Sequence, residues 1–204
     1  MRNKKLVSLT EAAVLTALIF VLDITGIGYI PLSIATVSVL TVPVCVGAVT
    51  MGPWWGTFFG FVFGLSSFLQ CFGKSAFGTL MLSLNPFYAA VVCFLPRMLT
   101  GLLCGLVFRS FYKAFSGKRG KENIAFAAAG VSAPLFNTVL FMSALILLFF
   151  KNPEFADTYV KGAGVFAFFL SFAGIGAVLE LAAGLVLGSA LSKAVFTMRK
   201  RMRM

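Results

Sequence analysis

Arg97 in LPRMLTG, Asn137 in PLFNTVLF and Glu180 in AVLELAAG are polar side chains set deep inside apolar stretches of the chain. An ionisable residue at the centre of a bilayer costs about 2.5–3.5 kcal/mol on insertion scales, so it usually faces a cavity or a partner. Arg97 stands about 11 residues, Asn137 about 13 and Glu180 about 15 to 18 residues from the outer ends of their stretches. At 1.5 Å per residue these are depths of roughly 17–27 Å, at which the three can converge. Two arrangements fit. One is a polar pocket opening outward, in which alanine at position 137 or 180 is expected to weaken ligand binding. The other is an Arg97–Glu180 ion pair that ties two helices together.

Catalytic chemistry finds little to work with. The chain has no histidine, and its 6 acidic residues are scattered. Cys45, Cys71, Cys93 and Cys104 lack the clustered spacing of a metal site, so they read as small buried apolar residues. FGKS at 72–75 resembles the tail of a phosphate loop, but Phe68 stands where that motif needs its first glycine. No catalytic residue, metal or cofactor is expected. If ATP energises this chain, a partner hydrolyses it.

The elements that position these residues are membrane helices. Of 204 residues, 60% are hydrophobic and 11% charged, against about a quarter charged in soluble domains. Segments 9–25, 86–108, 124–150 and 162–191 match the roughly 20 apolar residues that cross a bilayer. Two shorter ones, 36–51 and 54–72, are almost free of charge. The expected fold is an all-α integral membrane protein, one domain over 1–204. Six transmembrane helices form a compact bundle, at about 8–25, 36–52, 54–72, 86–114, 123–150 and 161–194. The basic head and apolar run at the start read as an uncleaved first helix, because no clean cleavage site follows. Gly26, Gly28 and Pro31 make the first loop irregular, and the segment 70–85 leaves the membrane or folds back on its outer face.

The net charge of +11 is topology information. Arg2, Lys4 and Lys5, then Arg109, Lys113, Lys118, Arg119 and Lys121, then Lys193, Arg199, Lys200, Arg201 and Arg203 fall on one side of a six-helix bundle. Cationic segments stay cytoplasmic, which puts both termini inside and leaves no case for nucleic-acid binding. Asp23 reads as a solvated helix end or a residue of the outer mouth, and Glu11 belongs to the inner interface.

Gly52, Gly56, Gly60 and Gly64 recur every four residues in GPWWGTFFGFVFG. Small residues let helix backbones approach closely in lipid. Each step overshoots a full turn by about 40°, so the glycines form a slanting ridge suited to an angled neighbour. That neighbour is expected within the first three helices, or in a partner beside Ala13 and Ala17. A homodimer ranks below both.

Taken in order, these segments resemble the substrate-binding S components of energy-coupling factor (ECF) vitamin transporters. EAAVLTALIF places Ala13 and Ala17 in an AxxxA pattern. GYIPLSIATVSVLTVPVCVGAVTMGPWWGTFFGFVFGLSSF, LPRMLTGLLCGLVFR, FNTVLF and LELAAGLVLGSAL are similar to the later loop and helix segments of that family, so the likeness covers nearly the whole chain. The resemblance implies a bacterial cytoplasmic-membrane protein that captures a vitamin-type small molecule from outside with high affinity. It would dock on a transmembrane scaffold (T) subunit with two cytoplasmic ATPases, then topple to release its cargo inward. Substrate contacts would come from Tyr29, Asn85, Arg97, Asn137 and Glu180. Scaffold docking and helix packing would fall to Ala13, Ala17, Gly56, Gly60 and Gly64.

GYIPL followed by a Val-Pro pair looks most like the pantothenate-type branch, with riboflavin-type components next. The sequence departs from the pantothenate pattern where a Met-His pair would precede Pro43; Leu40 and Thr41 stand close by, and the chain has no histidine. Arg97 suits a carboxylate, while the many aromatic residues suit a flat ring. Two other classes compete: an ion-coupled secondary transporter, for which Glu180 is the one relay candidate, and a membrane enzyme or structural subunit without a small ligand.

Overall fold

A computed structural model describes residues 4–32, 35–115, 122–160, 162 and 164–203. The basic connection at 116–121, with Lys118, Arg119 and Lys121, therefore lies outside the described residues, as does Arg2. Helix α1 spans Lys4–Ile24. The next segment departs from the expected irregular loop, because it forms an antiparallel hairpin of β1 (Tyr29–Leu32) and β2 (Ala35–Ser38), with Tyr29 opposite Ser38 and Leu32 opposite Ala35. β-Branched Thr36 and Val37 favour the extended state, and Pro31 has no N–H to give a helix. The hairpin base is closed by two hydrogen bonds: Val39 N–H donates to Gly28 O, and Gly28 N–H donates to Leu22 O, both at 2.9 Å. The second helix, expected from position 36, consequently begins at Thr41.

Helix α2 (Thr41–Met51) is buried at every residue from Thr41 to Thr50, as befits a helix that is apolar all round. Gly52 turns the chain with φ 107°, a conformation glycine adopts without a Cβ penalty. Pro53 then opens α3 (Pro53–Gln70), where a first-turn proline loses no hydrogen bond. The segment expected to leave or fold back forms α4 (Ala76–Leu84), whose Ser75 hydroxyl caps Gly78 N–H at 3.2 Å. Helix α5 runs Pro86–Phe115 and α6 runs Glu122–Phe149. A single turn α7 (Pro153–Phe155) passes into a π-helical turn, Ala156–Val160. Helix α8 (Val165–Ala183) continues through a π-helical stretch, Gly184–Gly188, into α9 (Ser189–Arg203).

Among the described residues, four helices are long and apolar enough to cross a membrane: Leu6–Ile24, Pro86–Phe115, Glu122–Phe149 and the continuous Val165–Arg201. The core between them forms three clusters. Ile19, Leu40, Phe59 and Phe63 join α1, α2 and α3. Cys45, Cys104, Phe108 and Phe126 join α2, α5 and α6. Met142, Phe149, Phe155 and Phe168 fill the space between α6, α7 and α8.

The glycine ridge packs within the chain, mostly on a neighbour other than the one expected. Gly60 and Gly64 meet α5, while Gly56 meets both α5 and Ala48 of α2, so the expected contact within the first three helices holds only at Gly56. A Cβ on Gly64 would lie 2.8 Å from Cys93 O, and one on Gly60 or Gly56 would collide with the carbonyl of Arg97 or Gly101. Gly130 and Gly184 make a second such crossing between α6 and the π-helical stretch.

The far end of the bundle is tied by Arg199. Its guanidinium donates to Thr50 O at 2.5 Å and Ser8 Oγ at 2.9 Å, and pairs with Glu11 at 3.3 Å. Phe108, Tyr112, Phe126 and Phe196 form a ring cluster at the same end. The C-terminal part of α9 therefore meets the start of α1, the end of α5 and the start of α6.

Candidate functional site

Arg97, Asn137 and Glu180 come together in the wall of one cavity of about 360 Å³. That is near the lower end of the roughly 300–1,000 Å³ typical of small-molecule pockets. The cavity reaches from these residues, on α5, α6 and α8, up to α4 and the turn that carries Tyr159.

Arg97 owes its pose to its neighbour in sequence. Pro96 lies inside α5 and has no N–H, so the carbonyl four residues back, Val92 O, loses its helical donor. The Arg97 Nη1 donates to that carbonyl at 2.5 Å. The guanidinium then rests 4.5 Å from the centre of the Phe141 ring and 5.5 Å from that of Phe63, within cation–π range. Its Nε is buried and has no hydrogen-bond partner. No ion pair between Arg97 and Glu180 within 4.0 Å occurs among the described residues.

Glu180 is engaged elsewhere. Its Oε1 accepts the backbone N–H of Ser38 at 2.6 Å, and its Oε2 accepts the Thr138 hydroxyl at 3.4 Å. The carboxylate, only 7% exposed, thereby fastens the end of β2 to α8 and α6. Asn137, also 7% exposed, has a buried Oδ1 without a partner. The Ser38 hydroxyl in the same wall is likewise unsatisfied. Buried polar atoms are almost always hydrogen-bonded. Arg97 thus keeps an unused donor and Asn137 an unused acceptor, on two residues of the cavity wall.

Part of the remaining wall is aromatic. Phe77 of α4 meets Phe141, Phe155, Tyr159 and Phe172 with ring centres 5.0–6.4 Å apart. Burial pushes the Tyr159 phenol up, which keeps it a neutral hydrogen-bonding group. The cavity thus offers charge, hydrogen bonds and rings together, with Phe141 against both Arg97 and Phe77.

Among the described side chains, one expected substrate contact, Asn85, is not in this wall. Asn85 Oδ1 accepts from Phe87 N–H at 3.0 Å and Tyr88 N–H at 3.1 Å, which makes it the N-cap of α5 and leaves no carbonyl oxygen facing the cavity. Tyr29 belongs to β1, but its side chain lies outside the described residues. Asp23 accepts from Gln70 Nε2 and is absent from the lining.

Sequence reasoning missed Phe77, Phe141 and Tyr159 because phenylalanine is spread along the whole chain. It also missed Cys71 and Cys93, whose sulfurs lie 3.9 Å apart in the wall. Their separation in sequence carries no sign of that contact.

On the opposite flank, Ala13 and Ala17 are exposed. Leu9, Ala12, Ala13 and Thr16 of α1 border a shallow apolar groove with Trp54, Trp55 and Phe58 of α3. Trp54 is 80% exposed.

A family model described as ECF transporter, substrate-specific component, matches residues 7–192. The pantothenate transporter PanT of Leuconostoc mesenteroides subsp. mesenteroides is 25% identical over 180 residues, covering 86% of this chain and 84% of that protein. The pantothenic acid transporter PanT of Lactococcus lactis subsp. cremoris is 28% identical over 137 residues, covering 62% and 64% respectively.

Proposed function

Because the chain belongs to the substrate-specific components of ECF transporters, a family of vitamin-uptake membrane proteins, we propose that it is a pantothenate-binding subunit. It captures the vitamin from outside the cell and delivers it to a scaffold subunit driven by two ATPases. The observation that carries the ligand assignment is the pair of unused polar atoms, Arg97 Nε and Asn137 Oδ1, in the cavity wall. Pantothenate has a carboxylate, an amide, two hydroxyls and a compact branched hydrocarbon centre. Arg97 receives the carboxylate in a charge-assisted hydrogen bond. Asn137 Oδ1 accepts from the amide or a hydroxyl, and Phe77, Phe141 and Phe172 enclose the hydrocarbon. The names of the two relatives support this choice over riboflavin.

The membrane arrangement we propose has six crossings, with α2 and α3 added to the four long spans. Both termini face the cytoplasm. The exposed cations Arg109, Lys113, Lys193, Lys200 and Arg201 support that orientation, since they gather at the end tied by Arg199. The cavity then opens toward the outside through α4 and the hairpin. Ala13 and Ala17 line the face of α1 that meets the scaffold, where small residues allow close helix packing. The ligand is bound and passed on without chemistry by this chain.

The test is titration of the purified full chain with pantothenate, riboflavin and biotin in detergent. Saturable binding of pantothenate alone is expected, weakened at least tenfold in Arg97→Gln. Tight binding of riboflavin with none of pantothenate would overturn the assignment. Uptake by this chain in vesicles without scaffold or ATPases would overturn the dependence on partners.

A further inference from the structure

Cys71 follows the last turn of α3 and Cys93 lies on α5. The Gly64 contact with Cys93 O holds these two helices at backbone distance, and the thiols meet at 3.9 Å. Both are among the most buried side chains, at 3% and 2% exposed, yet both line the cavity. A small reagent that enters the cavity reaches them. We propose that Cys71 and Cys93 form an oxidisable dithiol site whose disulfide tethers α4 to α5 beside the ligand cavity. This rests on the cavity being the one that opens to the outside.

The tether follows from what Cys71 holds. Thr79 Oγ1 of α4 donates to Cys71 O at 3.2 Å. Gly78 packs so closely that a Cβ there would lie 2.9 Å from Cys71 Sγ. The first turn of α4, which carries Phe77 into the aromatic wall, is thus seated on Cys71. Joining the sulfurs closes their separation to about 2.05 Å. The turn at Gly73, with φ 99°, gives the segment after Cys71 room to follow.

The chemistry is thiol–disulfide exchange with a low-molecular-weight disulfide, RSSR. Either sulfur can make the first attack. When Cys93 does so, its sulfur displaces one RS⁻ and forms a mixed disulfide. The Cys71 sulfur then attacks the Cys93 sulfur and displaces the second RS⁻. The two thiol protons pass to the two leaving thiolates. Two cysteine thiols are oxidised and one RSSR is reduced to two RSH. Cys45 and Cys104 provide an internal control, because they sit in the core between α2, α5 and α6 and outside the cavity wall.

The experiment treats the purified full chain with hydroxyethyl disulfide, blocks free thiols with N-ethylmaleimide and maps the peptides. Loss of two of the four thiols is expected, with a Cys71–Cys93 cross-link that a phosphine reverses. Amide exchange across residues 76–84 is expected to slow several-fold in the oxidised wild type and not in treated Cys71→Ser. Retention of all four thiols, consumption of Cys45 or Cys104 in their place, or a persistent mixed adduct would each overturn the site. A cross-link with unchanged exchange in α4 would overturn the tether. Neither readout needs a ligand, so a failure to bind pantothenate in both redox states strikes the ligand assignment alone. If pantothenate binds, its dissociation is expected to slow several-fold on oxidation, and an unchanged rate would overturn the tether's hold on the cavity.

Discussion

Gly60 lies against the backbone carbonyl of Arg97 so closely that no Cβ fits between them. The small-residue ridge of α3 and the cationic side chain of the cavity are therefore one arrangement. The ridge sets how near α5 comes, and so where Arg97 stands. We predict that Gly60→Ala forces α3 and α5 apart, since the obstructing atom is backbone and cannot rotate away. A destabilisation of about 1–3 kcal/mol is expected, as for overpacked cores. Pantothenate affinity should fall alongside, because Arg97 moves with its helix. Thermal unfolding in detergent and ligand titration check both, and an unchanged melting temperature would show that the crossing is looser than drawn.

Arg97→Lys tests the guanidinium itself. Lysine keeps the charge but not the planar fork, and it gives up the bond to Val92 O that compensates for Pro96. We predict about a tenfold loss of pantothenate affinity, and a larger loss in Arg97→Gln. Equal affinity for wild type and Gln would move the carboxylate site elsewhere.

Asn137→Ala separates binding from folding. The Asn137 Oδ1 is buried without a protein partner, so deleting it removes an unsatisfied acceptor, whose burial costs about 1–3 kcal/mol. We predict that the ligand-free protein is as stable as wild type or more so, while pantothenate binding weakens about tenfold. Loss of stability in the absence of ligand would mean that the side chain serves the fold.

Which parts of this were legible in one dimension follows from what periodicity encodes. Long apolar runs announce α1, α5, α6 and α8–α9, because a bilayer demands length and apolarity together. Depth along those runs brought Arg97, Asn137 and Glu180 to one level, and the structure puts them in one cavity. The hairpin was hidden because its alternation is short and uncharged, and α4 because its apolar helix is only 9 residues long. Contacts between distant residues leave no local trace. The partners of Glu180, the meeting of Cys71 with Cys93 and the choice of α5 by the glycine ridge are all of that kind. Asn85 shows the converse: a polar residue near the mouth whose side chain is consumed in capping the next helix.

Glu180→Ala should loosen the hairpin. A hydrogen bond to a charged group contributes about 1.5–3 kcal/mol, and here the carboxylate holds the Ser38 N–H. We predict faster amide exchange at Ser38 and Val39 and faster pantothenate dissociation, with α5 and α6 unaffected. Glu180→Gln retains an acceptor oxygen and should lie between the two. If exchange at Ser38 does not change, the bond is not what holds β2 to α8.

Arg199 offers the clearest separation of stability from binding. In sequence it is one cation in a basic C-terminal run, and its neighbours Lys200 and Arg201 are exposed. In the structure it is 6% exposed and reaches Thr50 O, Ser8 and Glu11. Removing one partner of a buried ion pair strands the other, which costs about 3–5 kcal/mol in soluble proteins. We predict a large loss of thermal stability in Arg199→Met, because the Glu11 carboxylate loses the guanidinium 3.3 Å away and Thr50 O and Ser8 lose their donor. The double variant Glu11→Leu with Arg199→Met should recover much of it, since neither charge then remains. Lys200→Met, one residue on, should change little. Pantothenate affinity of the folded fraction should stay near wild type throughout, because this cluster and the cavity lie at opposite ends of the bundle. Affinity that falls in step with stability would instead mean that the two ends are coupled through α9 and α8.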